Sequence, residues 1–414
     1  MNHSRTWPSW KACVVVLAVS LVAACSSSTE SSDSSATSTV SADPAKAAQI
    51  AALVREAMDT QHLRAAIVRV TVDGEPVITE AFGESMTGVP ATTDMQFRNG
   101  AIVEPYMVSV LLQLVDEKKA SLDDPLSTWL PEVPNSDRVT LGQLATMTAG
   151  YHDYVLGNEE FDRLVMSDPF KNWTPEEQLS LAVNKPLLFE PGTNWSYSHT
   201  QYVLLGLALE KITGTPLQDA IRTRVLEPLG LNNTFADQTA VMEEPTLHAF
   251  SSERRGFLGL PPDTPFYEDS TFWDPSWTIA RGAVETTNIT DAEATARTLL
   301  AGETVPPDLY PLMVSTRMRG NAPVPGCVAV CTVMNERYTY GMGVVVSGDW
   351  YLQNPQLNGY GAVAAYLPEG KVSIAVVVTY EPEAFNSTGG YKNSADPIFR
   401  EIGALMAPDN APPT

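Results

Sequence analysis

Residues 97–131 read FRNGAIVEPYMVSVLLQLVDEKKASLDDPLSTWLP, and their spacing predicts a helix from about Val103 to Lys118. Met107, Leu111, Leu114 and Val115 recur at intervals of three and four, so they share one helical face that must be buried against something. Glu104 stands in the first turn, where the helix dipole favours an acid by about 0.3–1 kcal/mol. The same stripe returns from Tyr202 to Ile212 and again from Leu217 to Val225, which closes on a Pro-Leu-Gly-Leu stop.

Outward from this helical middle the period changes. Upstream, Ile50, Leu53, Val54 and Met58 mark a helix over Pro44 to His62, started by Ser-Ala-Asp-Pro. It is followed by AAIVRVTVDGEPVITEAFGE, two β-rich runs around Asp73-Gly74 and therefore a hairpin. Downstream, residues 339–350 (TYGMGVVVSGDW), 361–370 (GAVAAYLPEG) and 371–380 (KVSIAVVVTY) are further hairpin-like runs. Strands at both ends and helices between them predict an α+β fold in three layers, αβα: an antiparallel sheet flanked by helices, with an inserted, mostly helical region. The expected sheet region covers about 46–98 and 285–405, and the helical region about 99–284. No internal repeat is visible.

Composition limits the function classes. The chain has 414 residues, 44% hydrophobic, with 26 Lys+Arg against 49 Asp+Glu and a formal charge of -23. A chain so acidic is repelled by phosphate backbones, and nucleic acid is excluded as a partner. Its 5 His and 4 Cys show no close metal-ligand spacing, so neither a metal nor a cofactor is expected.

The stretch 97–131 resembles the serine β-lactamase and D-alanyl-D-alanine carboxypeptidase superfamily, in the class C-like branch that includes many esterases. The resemblance runs through residues 139–154 (VTLGQLATMTAGYHDY), 173–236 and 281–302 to the closing hairpins, covering roughly 46–405. Its most specific part is FEPGTNWSYSHTQYVLLG at 189–206. The chemistry this resemblance implies needs three constellations: a Ser-x-x-Lys at the start of a helix, a facing Tyr-x-Asn, and a Lys-Thr-Gly or His-x-Gly strand that supplies an oxyanion donor.

This sequence departs from all three. The Ser and Lys positions hold Ala101 and Glu104; alanine has no hydroxyl to attack a carbonyl, and a carboxylate cannot act as the activating amine. Glu104 then has two readings, a helix-terminal acid or a carboxylate facing the cleft. Tyr197-Ser198-His199 keeps the Tyr but replaces Asn with His, and the strand motif falls on Gln353-Asn354-Pro355. A proline there cannot donate to a strand ladder and replaces the glycine that lets substrate lie against the backbone. Where the family often has Leu-Leu-x-His-Thr-Ser-Gly, this chain has residues 144–150, LATMTAG. Outside the leader the chain has no Ser-x-x-Lys, no Lys-Ser/Thr-Gly and no Gly-x-Ser-x-Gly. Ser198 and Ser109 read as ordinary polar or packing residues, so no catalytic residue is expected. The expected ligand cleft comprises Glu104, Tyr197, His199, Gln353 and Asn354.

The first 24 residues read as a signal: Arg5 and Lys11, then an apolar run from Ala12 to Ala24, then Cys25. The run is too short for a spanning helix of about 20 residues. LVAAC resembles the lipobox of bacterial lipoproteins, which makes Cys25 the lipidated residue. Residues 25–45 form a Ser/Thr-rich tether, and 406–414 a C-terminal tail. Cys327 and Cys331 are expected to pair in a non-reducing compartment.

Together these features predict an exported, lipid-anchored envelope protein of this fold whose catalytic centre is dismantled. It would act in binding or regulation, with the membrane reached through its lipid and a cell-wall peptide or envelope protein as partner. The alternatives are a hydrolase using Glu104, Tyr197 and His199 as a new acid-base set, and a structural envelope protein without a small ligand.

Overall fold

The computed structural model describes residues 43–414 apart from 237, 238, 262, 285, 325, 326 and 328–330. The expected signal, Cys25 and nearly all of the tether lie outside the described residues.

Helix α1 (Pro44–Gln61) starts where Asp43 caps the Lys46 amide at 3.1 Å and ends at His62 in the left-handed conformation. Strands β1 (Leu63–Val72) and β2 (Glu75–Met86) form the hairpin around Asp73-Gly74. Then come α2 (Glu104–Asp116), α3 (His199–Thr213) and α4 (Ile289–Thr298). The chain closes with β3 (Val345–Ser347), β4 (Trp350–Gln353), β5 (Tyr360–Leu367), β6 (Val372–Tyr380) and α5 (Ala395–Met406).

The strands make one antiparallel sheet in the order β2-β1-β6-β5-β4-β3, extended by Val89–Pro90 beside β2 and Thr339–Tyr340 beside β3. Every residue of β5 and β6 is buried, which requires cover on both faces of the sheet. Helices α1 and α5 pack together on the sheet. Helix α4 packs on β1, β5 and β6, where Glu293 accepts from Thr71 at 2.7 Å and pairs with Arg69 at 3.2 Å. This is the three-layer α+β arrangement anticipated from the hairpin and helix pattern.

Two details differ from expectation. The inserted stretch is helical through Leu229, but from Leu231 to Asn288 the described residues carry only turns, 3-10 segments and two-residue strands such as Phe250–Ser251. Prolines 261, 265 and 275 interrupt any helical period there. The stretch 406–414 is not a free tail: the indole of buried Trp350 donates to the Asn410 carbonyl at 2.8 Å, and Arg400 donates to the Pro413 carbonyl. A buried indole N–H needs an acceptor, and the chain end provides it.

Candidate functional site

Ala101 sits in the 3-10 turn Gly100–Val103 that leads into α2, so Glu104 opens the helix proper. Gly343 lets the chain before β3 come against this turn. It has φ 69, and a Cβ on it would meet the Glu104 carbonyl at 2.9 Å and Val108 Cγ2 at 2.7 Å. That close approach brings two donors from the sheet edge onto one carboxylate.

Glu104 is 1% exposed. Tyr197 donates to its Oε1 at 2.8 Å, Tyr340 donates to Oε2 at 2.7 Å, and the Gln353 amide donates to Oε2 at 3.0 Å while also reaching the Gly343 carbonyl at 2.8 Å. Burial pushes the Glu104 pKa up to about 7, against the pull of Tyr340, Tyr197, His199 and Gln353. Burial and the Glu104 charge together hold the Tyr197 and Tyr340 hydroxyls well above the usual phenol range.

The Tyr340 hydroxyl also lies 2.8 Å from that of Tyr202, which is 3.0 Å from the Ala145 carbonyl. Each hydroxyl carries one proton, so the chain can point only one way at a time. With Glu104 ionised, Tyr340 donates to the carboxylate. With Glu104 protonated, the order can reverse and run from the acid through Tyr340 and Tyr202 to Ala145 O.

Beside this network stands a second carboxylate. Asp153 accepts from the His199 backbone amide at 3.0 Å, from His199 Nδ1 at 3.0 Å and from the amides of Val155 and Leu156 at 3.2 and 3.1 Å. Because a carboxylate only accepts, Nδ1 carries the proton and Nε2 is the ring nitrogen left to the cavity that His199 lines. The Tyr197 and His199 rings meet edge to face at 5.2 Å.

That cavity, about 220 Å³, is walled by Ala101, Tyr197, His199, Trp277, Tyr338 and Gln353, with Leu156 and Pro355 at its sides. The structure therefore brings Ala101, Tyr197, His199, Gln353, Asn354 and Pro355 around one cavity. Glu104 is not among the lining residues; it lies behind Tyr197 and Gln353. Asn354 lines the cavity, but its amide donates to Asp396 at 3.2 Å. Ser198 reaches the His152 carbonyl and Ser109 the Thr304 hydroxyl, so neither pairs with His199. Among the described residues no group of acids, histidines and cysteines could hold a metal. Cys327 and Cys331 form a disulfide.

Sequence reasoning missed Asp153, Tyr338 and Tyr340. Asp153 lies in the stretch 139–154 with no motif of its own, Tyr340 falls in the hairpin-like run 339–350, and Tyr338 stands just before that run. An aspartate in a loop, a tyrosine ahead of a two-residue strand and a tyrosine within it carry no local mark of the distant groups they meet.

A sheet covered on both faces, a helix starting at the cleft and a Tyr loop facing a strand end define the serine β-lactamase and transpeptidase fold. The chain belongs to the Beta-lactamase family, whose model matches residues 50–396. It is 25% identical over 358 residues to penicillin-binding protein 4 of Amycolatopsis lactamdurans, covering 81% of this chain and 89% of that protein. It is 31% identical over 199 residues to esterase EstB of Burkholderia gladioli, covering 45% of this chain and only 50% of the esterase, so that match spans half the length of the relative. A solved D-amino acid amidase from Ochrobactrum anthropi SV3, complexed with D-phenylalanine, superposes with a TM-score of 0.71 at 19% identity, covering 87% of this chain and 99% of the amidase. That likeness shows the shared fold.

Proposed function

We propose that this chain is a non-acylating, ligand-binding member of its family, exported and held at the cell envelope by a lipid on Cys25. The observation that carries the reading is the fate of the nucleophile pair. Ala101 offers no attacking atom, and both oxygens of Glu104 are engaged by Tyr197, Tyr340 and Gln353. Acyl transfer needs a nucleophile beside its activating base, and this cleft holds a closed hydrogen-bond network there instead. Binding then serves regulation or capture at the envelope, with a cell-wall peptide or an envelope protein as the source of the ligand.

The test is to incubate the purified protein with a fluorescent penicillin and with a fluorophosphonate, and to read intact mass. No adduct is expected; an adduct mapped to a serine of the cleft overturns the reading. The anchor has its own test, since Cys25→Ala should move the protein from the membrane fraction to the soluble fraction.

One observation supports a second reading. Asp153 orients His199, and an oriented imidazole beside a cavity is the arrangement of a general base acting on water. A weak esterase activity abolished by His199→Ala, with no covalent intermediate, would favour this hydrolase over the binding protein.

A further inference from the structure

We propose that the cavity bounded by Tyr197, His199, Trp277 and Tyr338 binds a small organic cation, an ammonium group carrying short alkyl substituents. The inference rests on reading this cavity as a binding site and adds the chemical class of its ligand.

The side-chain donors of Tyr197, Gln353 and Asn354 are turned away from the space they line. The Tyr197 hydroxyl is spent on Glu104, the Gln353 amide on Glu104 and the Gly343 carbonyl, and the Asn354 amide on Asp396. No Lys or Arg is among the described residues that line the cavity. An anionic ligand would find one basic side chain among the described lining residues, His199, and that imidazole is already backed by the Asp153 carboxylate at 3.0 Å.

What the wall does present is aromatic. Tyr197, Trp277 and Tyr338 carry the negative face potential of π systems, which attracts an ammonium group within about 6 Å of a ring centroid. His199 joins them, its ring 5.2 Å from Tyr197 and 6.3 Å from Trp277. Behind these rings lie two acids, Glu104 behind Tyr197 and Asp153 behind His199. Their field is little screened, since both residues are buried. Leu156, 44% exposed, and Leu357 add apolar surface for alkyl groups. With about 220 Å³ of space, the cavity lies below the usual range for drug-sized ligands, so the cation is small.

The test uses three probes of nearly one shape and different charge: choline, 3,3-dimethyl-1-butanol and 3,3-dimethylbutanoate. Each is titrated calorimetrically into the purified full chain at pH 8. Choline is expected to bind at least about tenfold tighter than the neutral alcohol, and the carboxylate not to bind. Trp277→Leu and Tyr338→Leu, each checked for native circular dichroism, should each weaken choline about fivefold or more while leaving the alcohol nearly unchanged. Equal affinity for choline and the alcohol, preference for the carboxylate, or no saturable choline binding up to about 50 mM would each overturn the proposal. An acyl adduct with fluorophosphonate overturns the non-acylating reading whatever choline does. Absent choline binding without any adduct overturns only the cation assignment.

Discussion

A Cβ placed on Gly100 would stand 2.7 Å from the Cβ of Pro355. The residue just before the vacant nucleophile position and the residue two past the end of β4 are thus packed against each other. Gly100 has φ 50, a conformation that costs any other residue strain, and the proline ring leaves no room for a side chain there.

Gly100→Ala should therefore lower stability by about 1–3 kcal/mol, from overpacking and positive φ together. Pro355→Gly removes the ring but not the φ, so the double variant should recover only part of the loss. A urea double-mutant cycle measures the coupling; strictly additive effects would mean the two residues do not press on one another.

Glu104 gives a pH signature with a definite sign. Its folded pKa, about 7, lies above the ordinary carboxylate value of 4.5. The contribution of this raised group is fully present below pH 4.5, falls as pH rises through 7, and is flat above. Above pH 7 the ionised form costs about 3 kcal/mol relative to an unperturbed acid. Glu104→Gln, which can still donate and accept within the network, should be more stable than wild type at pH 8 and nearly equal to it at pH 4. Denaturation midpoints at the two pH values check this.

Restoring the nucleophile pair with Ala101→Ser and Glu104→Lys should not restore an enzyme. The new ammonium would face the hydroxyls of Tyr197 and Tyr340 and the amide of Gln353, in a space shaped for an acceptor. A buried ammonium whose three neighbours are neutral, with no carboxylate among them, costs several kcal/mol, and Pro355 at the altered strand end has no N–H to offer an oxyanion, a donor worth about 100-fold by itself. Nitrocefin hydrolysis should stay at least about 100-fold below that of a working family member.

Asp153→Asn tests the second carboxylate. Asp153 accepts from two backbone amides, the His199 amide and the imidazole, whereas asparagine offers one acceptor oxygen and points an amide group at the remaining donors. A loss of about 2–4 kcal/mol is expected, read as a lower melting temperature. A loss below about 0.5 kcal/mol would show that these donors find other partners.

The Cys327–Cys331 bond closes a short loop, with a sequence separation of 4. Its entropic contribution should lie at or below about 3 kcal/mol. Reduction should leave far-ultraviolet circular dichroism unchanged at room temperature; global unfolding would contradict a local role.

The sequence by itself determined the layered fold, because periodicity and turn chemistry are local. The stripe on α2, the Asp73-Gly74 hairpin and the apolar runs of β5 and β6 each state their own burial. It also determined that the nucleophile pair is missing, since Ala101 and Glu104 can be read by position alone. Only the tertiary structure decided what replaced that pair. Tyr340 is 236 residues from Glu104 and Gln353 is 249, and Asp153 meets His199 across 46. It also decided between the two readings of Glu104, turning a helix-terminal acid into a buried carboxyl held by three donors. A hydrogen bond is directional and effective over about 3 Å, so which distant groups meet depends on how the helices seat against the sheet edge, and no local pattern in the chain records that.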